Sequence, residues 1–191
     1  MNATNLKLLI LVMLAIAFWS CGSPNQSEPK VTESAAALNH PTGQASVVDE
    51  VSDPNILQVA ISSEPHSMLV AAVQAAQIEH VLVNAGPLTV FAPVNSAFDA
   101  LPAGTVDNLL KPENKGDLAT ILTRHAAPGS YDLEALKREA KKGRKLYMAT
   151  GDYLEVTIDG DDVLVSGAKV VGTVPASNGI IHVIESVILP K

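Results

Sequence analysis

The chain has a single cysteine, Cys21, so no internal disulfide can staple it. Aromatic residues make up only 4% of its 191 positions, while hydrophobic residues make up 47%. The core this sequence can build is therefore aliphatic, made of Val, Ile, Leu and Ala. Basic residues are also scarce, 13 against 20 acidic ones, for a net charge of −7. That balance argues against nucleic acid as the main partner, because nucleic-acid binders favour a basic footprint. Catalytic signatures are missing. There is no Gly-x-Ser-x-Gly elbow, no Walker loop, no dinucleotide glycine fingerprint and no His-Glu-x-x-His pair. His66, His80, His125 and His182 show no metal-ligand spacing. The expectation is a non-enzyme that carries neither cofactor nor metal.

Long apolar runs are few. Leu6 to Trp19 is nearly unbroken, interrupted only by Lys7, yet it is short for a membrane span. A polar start, an apolar centre and then Ser20-Cys21-Gly22 read as a secretory signal over residues 1–20. The position of Cys21 resembles the lipobox of bacterial lipoproteins, in which the thiol receives a diacylglycerol and the signal is cut before it. Ser20 is a suitable small residue before the cut, whereas Phe18 and Trp19 are bulkier than the usual pattern. The alternatives are an ordinary signal peptide cut nearby or an uncleaved anchor. Acyl chains on Cys21 would hold the protein on a bilayer without any spanning helix. The expected address is the cell envelope, on the periplasmic or surface side of an outer membrane.

The signal segment holds one basic residue and no acid, so the remainder carries 12 basic and 20 acidic residues, net −8. Residues 21–52 are rich in Ser, Pro, Asn, Gln, Glu and Ala and have no large aromatic. Such a segment buries too little apolar surface to offset its ordering entropy, and it reads as a flexible tether.

Residues 53–191 read as one domain. Asp53 or Asn55 can cap a first short helix, which Pro65 breaks. Ser67 starts a longer one with Met68, Leu69, Ala72, Val73 and Ala76 on one face. Ile78 to Val83 is a further short helical piece. Leu88 to Phe91 is a β-favouring run that Pro93 ends, and Asn95 or Ser96 can cap a helix carrying Ala97, Phe98 and Leu101. Thr105 is the expected cap of the next helix. Another begins at Lys115 or Asp117 and stops near His125, before Pro128-Gly129. Asp132 caps a helix ended by Gly143. The period then changes to two, with Leu146, Met148, Leu154, Val156 and Ile158 alternating with polar neighbours. Asp159-Gly160 marks a hairpin, and Lys169–Val174 and Gly179–Leu189 are two more strands. Helices first and strands afterwards make an α+β fold.

Three blocks now resemble one family. The first is Thr89-Val90-Phe91-Ala92-Pro93 with Asn95, Ala97-Phe98 and Leu101-Pro102. The second is Leu122-Thr123-Arg124-His125 followed by Pro128-Gly129. The third is Asn178-Gly179-Ile180-Ile181-His182-Val183-Ile184 with Ser186-Val187 and Leu189-Pro190. In order and spacing they resemble the fasciclin domain, over about Asn55 to Pro190. The resemblance implies an antiparallel β-sandwich or wedge with several α-helices packed at one side. It also implies a non-catalytic extracellular or cell-surface module for adhesion, protein contact or glycan contact. One departure is Arg124, which stands where the family usually has tyrosine before the histidine.

The candidate binding residues are His125, Arg124 and the cations Lys141, Lys142, Arg144 and Lys145, which extend a run begun by Lys137 and Arg138. His125 sits at a helix end, where an imidazole can donate to the last carbonyls, and Asn95 is its expected partner. The plainer reading of His125 is a buried, hydrogen-bonded histidine that fixes the fold. The cations read either as a grip for acidic polysaccharide, lipid headgroups or an acidic protein, or as a solvated helix face and edge strand. Asp159, Asp161 and Asp162 around Gly160 are explained by a hairpin turn without a metal. The expected function is a lipid-anchored cell-envelope adhesion or binding module for protein or polysaccharide. The alternative is a periplasmic small-ligand-binding lipoprotein, which requires a deep apolar pocket with convergent polar groups.

Overall fold

A computed structural model describes residues 53–190. The signal segment, Cys21 and the tether lie outside the described residues. Seven helices, two short 3₁₀ turns and seven strands follow one another along the described chain.

The helices come first. Helix α1 is Ile56–Ser62, and Asn55 caps it in a reciprocal capping box with Gln58 (2.9 and 3.0 Å). Helix α2 is Ser67–Ala76 and α3 is Glu79–Val83. Strand β1, Leu88–Pro93, then turns into α4, Asn95–Asp99. Helix α5 is Thr105–Leu109 and α6 is Lys115–Thr123. Strand β2, Ala126–Pro128, precedes α7, Leu133–Lys141. Asp132 caps α7 through Ala135 N (2.6 Å), as its position predicts.

The strands follow. They are β3 (Lys145–Tyr147), β4 (Tyr153–Asp159), β5 (Asp162–Val165), β6 (Ala168–Ala176) and β7 (Gly179–Ile184). They form one seven-stranded sheet in the order β2-β1-β7-β6-β5-β4-β3. Every neighbouring pair is antiparallel except β1 and β7, which run parallel. The sheet curls until its ends approach: Ala149 N, just past β3, donates to Ala126 O of β2 at 2.8 Å.

Strand β1 explains why two cores coexist. Successive strand residues point to opposite faces. Val90 and Ala92 enter an aliphatic core under the helices with Leu57, Leu69, Val73 and Leu122. Phe91 enters a second core inside the curled sheet with Leu136, Leu146, Leu154 and Val165. Strand β7 divides in the same way, Ile181 to the first core and Ile184 to the second. The parallel β1–β7 pair is thus a wall buried on both sides, as parallel strands require.

Four local expectations need correcting. Asn95 does not cap α4. Its Oδ1 instead accepts from Met68 N (3.0 Å), and its Nδ2 donates to Glu64 O (3.1 Å) and Ser67 Oγ (3.0 Å), so it ties the β1–α4 corner to the start of α2. Thr105 is not the cap of α5; Gly104, in the left-handed region, precedes that helix without a side-chain bond. Ala126–Pro128 is a strand where only a helix end was expected, because Ala-Ala-Pro carries no β signal of its own. Finally, β7 stops at Ile184 and not Leu189, since the chain beyond it bonds elsewhere.

Candidate functional site

His125 is 2% exposed. It follows α6, and its Nδ1 donates to Ile121 O at 2.8 Å, the helix-end bond its position suggests. Its Nε2 accepts from Ile188 N at 3.0 Å, which is why β7 ends early. A carbonyl can only accept and an amide N–H can only donate, so the ring is the neutral Nδ1–H tautomer. Asn95, the expected partner, is fully engaged elsewhere. Burial lowers the pKa of His125 to about 4; the bond to Ile121 opposes this and the Arg124 charge adds to it. Buried and doubly bonded, His125 has both ring nitrogens committed inside the domain.

His182 sits on β7 and is fully buried. Its Nε2 donates to Tyr131 O at 2.7 Å and its Nδ1 accepts from Thr173 Oγ1 at 2.9 Å. It stacks on Phe91, its register partner across the parallel pair, with centroids 5.6 Å apart. Burial also lowers its pKa, while the bond to Tyr131 opposes this. Both histidines are structural fixtures of the wall and its surroundings.

The cations separate into two groups. Lys137 and Arg144 are engaged on or beside α7, with Glu134 (3.2 Å) and Glu139 (3.7 Å). Lys141 and Lys142, at the end of α7, have no ion pair among the described residues. Lys145 faces a different feature. With Arg124 it lines an open groove of about 430 Å³ on the outside of the sheet. Tyr153, Glu155 and Thr157 of β4 form its wall, and the Ser166-Gly167 turn closes one side. Arg124 is paired with Asp152 through Nη1, while its Nε is buried without a partner. Beside the groove, Tyr147 of β3 leans on Tyr153, with centroids 5.4 Å apart, and the two are 48% and 63% exposed.

The local sequence dictates this face. Leu146, Leu154 and Val156 alternate inward, so Lys145, Tyr147, Tyr153, Glu155 and Thr157 must point outward. Cross-strand register then sets Lys145 opposite Glu155 and Tyr147 opposite Tyr153. The turn holds Ser166 at φ +52° and Gly167 at φ +89°, a two-residue hairpin in which both residues are left-handed. Serine is rare in that conformation. Sequence reading singled out Arg124 and Lys145 but missed the tyrosines, Glu155, Thr157 and Ser166. The signal for the tyrosines was available: in a chain so poor in aromatics, two fall on the outward phase of adjacent strands.

Elsewhere the surface holds little. The cavity lined by Met68, Phe98, Leu118, Leu122 and His125 has about 20 Å³, room for about one water. Around Gly160, Asp162 pairs with Lys169 at 2.6 Å. Among the described residues no cluster of three metal-ligating side chains occurs.

A curled mixed sheet with six helices over one face, α7 packed against the other, and two cores divided by a parallel strand pair defines the fold class. Residues 64–190 match the family model of the fasciclin domain. The chain is 39% identical over 184 residues to protein sll1483 of Synechocystis, across 95% of this chain and 96% of that protein. It is 33% identical over 162 residues to the cell surface glycolipoprotein MPB83 of Mycobacterium bovis, across 81% of this chain and 68% of that one. The fold is shared with a solved FAS1 domain pair from the insect cell adhesion molecule fasciclin I, with a TM-score of 0.63 at 21% identity. The likeness covers 72% of this chain and 51% of that pair. The chain therefore belongs to the fasciclin domain family and carries a single such domain.

Proposed function

We propose that this protein is a non-catalytic adhesion or binding module of the cell envelope. On this reading Cys21 carries the lipid, residues 21–52 give reach, and the fasciclin domain presents a face to protein or polysaccharide. The observation that carries the reading is the distribution of polar groups. The imidazoles of His125 and His182 are committed to backbone and hydroxyl bonds inside the domain, while the side chains of Lys145, Glu155, Thr157 and Ser166, unpaired among the described residues, line an open groove on the outer sheet. Catalysis calls for a titratable cluster inside a cleft; adhesion calls for an accessible face. That the Mycobacterium bovis relative is a cell surface glycolipoprotein agrees with this reading. The small-ligand alternative calls for a deep apolar pocket, whereas the apolar cavity beside His125 has room for about one water and the larger groove is open and polar.

The test uses vesicles bearing the full chain. They should bind purified envelope fragments, and binding should rise steeply with copies per vesicle, since weak contacts add through avidity. Vesicles that bind no better than blank ones would overturn the reading.

A further inference from the structure

We infer that the outer face of β3 and β4, from the Tyr147–Tyr153 pair across the groove to Lys145 and Arg124, binds an acidic polysaccharide bearing uronate carboxylates. This rests on the binding-module reading above and names the site and the ligand class.

The aromatic pair is the first observation. The chain has three tyrosines, and two of them lie together in solvent on adjacent strands. Tyrosine offers a large rigid apolar face with a polar tip. A pyranose is the complementary shape, with C–H groups on its faces and hydroxyls around its edge. A folded protein partner would look for further apolar side chains nearby, but the neighbours are Lys145, Glu155, Thr157 and Ser166. Their side chains hold no hydrogen bond or ion pair among the described residues, so they remain available to sugar hydroxyls.

The groove supplies the second observation. At about 430 Å³ it lies within the size range of small-ligand sites, yet it is open at the surface, so an extended chain can cross it.

Charge supplies the third. Lys145 ends the run Lys141, Lys142 and Arg144 in a chain of net charge −7. Arg124 is already paired with Asp152 through Nη1 and its Nε is buried, so it flanks the groove while Lys145 supplies the groove's cation that is unpaired among the described residues. Glu155 is the one carboxylate lining the groove. A uronate would pair with Lys145 while its ring covers Tyr153.

The full chain in detergent would be titrated calorimetrically with a galacturonate oligomer and with a neutral cello-oligomer of equal length. The galacturonate should bind, and added salt should weaken it. Tyr153→Ala and Lys145→Ala should each weaken it about tenfold, as loss of an interface anchor does. Glu155→Gln should tighten it severalfold, a gain that an unfolded variant cannot mimic. Equal binding of both sugars, or full affinity in Tyr153→Ala, would overturn the inference. So would no sugar binding together with saturable capture of an envelope protein that Tyr153→Ala abolishes. In that last case the vesicle assay still succeeds, so the adhesion reading stands while this site assignment falls.

Discussion

Gly179 and Leu88 are register partners at the start of the parallel β1–β7 pair, and a Cβ on Gly179 would lie 1.9 Å from the Leu88 carbonyl oxygen. No side chain fits there. The obstructing atom is backbone within a strand buried on both faces, so relief means separating the two strands that divide the cores. Gly179→Ala should destabilise the domain by about 3 kcal/mol or more, at the upper end of overpacking costs. A urea titration of the variant would check it. The control is Gly116→Ala, where nothing lies within 4 Å of the new methyl.

Asn178, next to that glycine, joins three elements with one amide. Its Oδ1 accepts from Ile56 N at 3.0 Å, at the start of α1. Its Nδ2 donates to Leu82 O (2.8 Å) and Asn84 O (3.2 Å), around the end of α3. Asn178→Ala leaves these partners unmatched, at a cost of about 2–4 kcal/mol if each lost bond follows the usual range. Asn178→Asp keeps the acceptor and loses the donor, so its denaturation midpoint should fall between those of the wild type and the alanine variant.

Acid should weaken the fold through its histidines. The folded pKa of His125 is lowered to about 4 from an ordinary 6.5, and that of His182 is lowered too. Both rings are neutral in the native state, so between these values the unfolded chain binds protons that the native chain does not. Stability is therefore complete above about pH 6.5 and falls as pH drops towards 4, with His125 alone accounting for about 3 kcal/mol. Protonating Nε2 also removes its capacity to accept from Ile188 N. Urea midpoints measured from pH 7.5 to 4.5 should show this slope, and His125→Asn should flatten it while lowering stability at pH 7.5.

These predictions divide along the line between local and distant chemistry. The strand-to-helix corner at Leu88–Asp99, the caps at Asn55 and Asp132, and the alternation in β3 and β4 were legible because propensity, capping and period act within a few residues. The partner of Asn95 was not legible. It lies 27 residues back at Met68, and no local pattern encodes that distance. Strand β2 was missed because its β conformation comes from pairing with β1, Thr89 against Ala127, and not from Ala-Ala-Pro itself. The parallel pairing of β1 with β7 joins residues some 90 positions apart and escapes any reading by window. The groove was half legible. Lys145 stood out by charge and Arg124 as a departure from the family's tyrosine, while the tyrosines became a pair only through the Tyr147–Tyr153 register.

The seam between the sheet's ends gives a smaller effect. Arg124 and Asp152 pair there, close to the Ala149–Ala126 bond that links β3 to β2. Asp152 is 53% exposed, so solvent screens the pair, and Asp152→Asn should cost less than about 1 kcal/mol. A thermal midpoint within a few degrees of wild type would agree. A collapse in stability would mean that this pair, and not the backbone bond, holds the seam.

The two groups of cations can be separated by charge removal. Lys141, Lys142 and Arg144 stand at the exposed end of α7 and just beyond it, whereas Lys145 lines the groove. Neutralising the first three together should mainly slow association with an acidic glycan and reduce its salt sensitivity, because charges at a distance steer encounter more than they hold a complex. Neutralising Lys145 alone should act on dissociation, since its ammonium would face the bound carboxylate directly. Surface plasmon resonance on immobilised polygalacturonate, at low and at physiological salt, separates the two rates. If the triple variant instead dissociates faster while Lys145→Ala is unchanged, the binding surface is the end of α7, and the tyrosine face has no part in it.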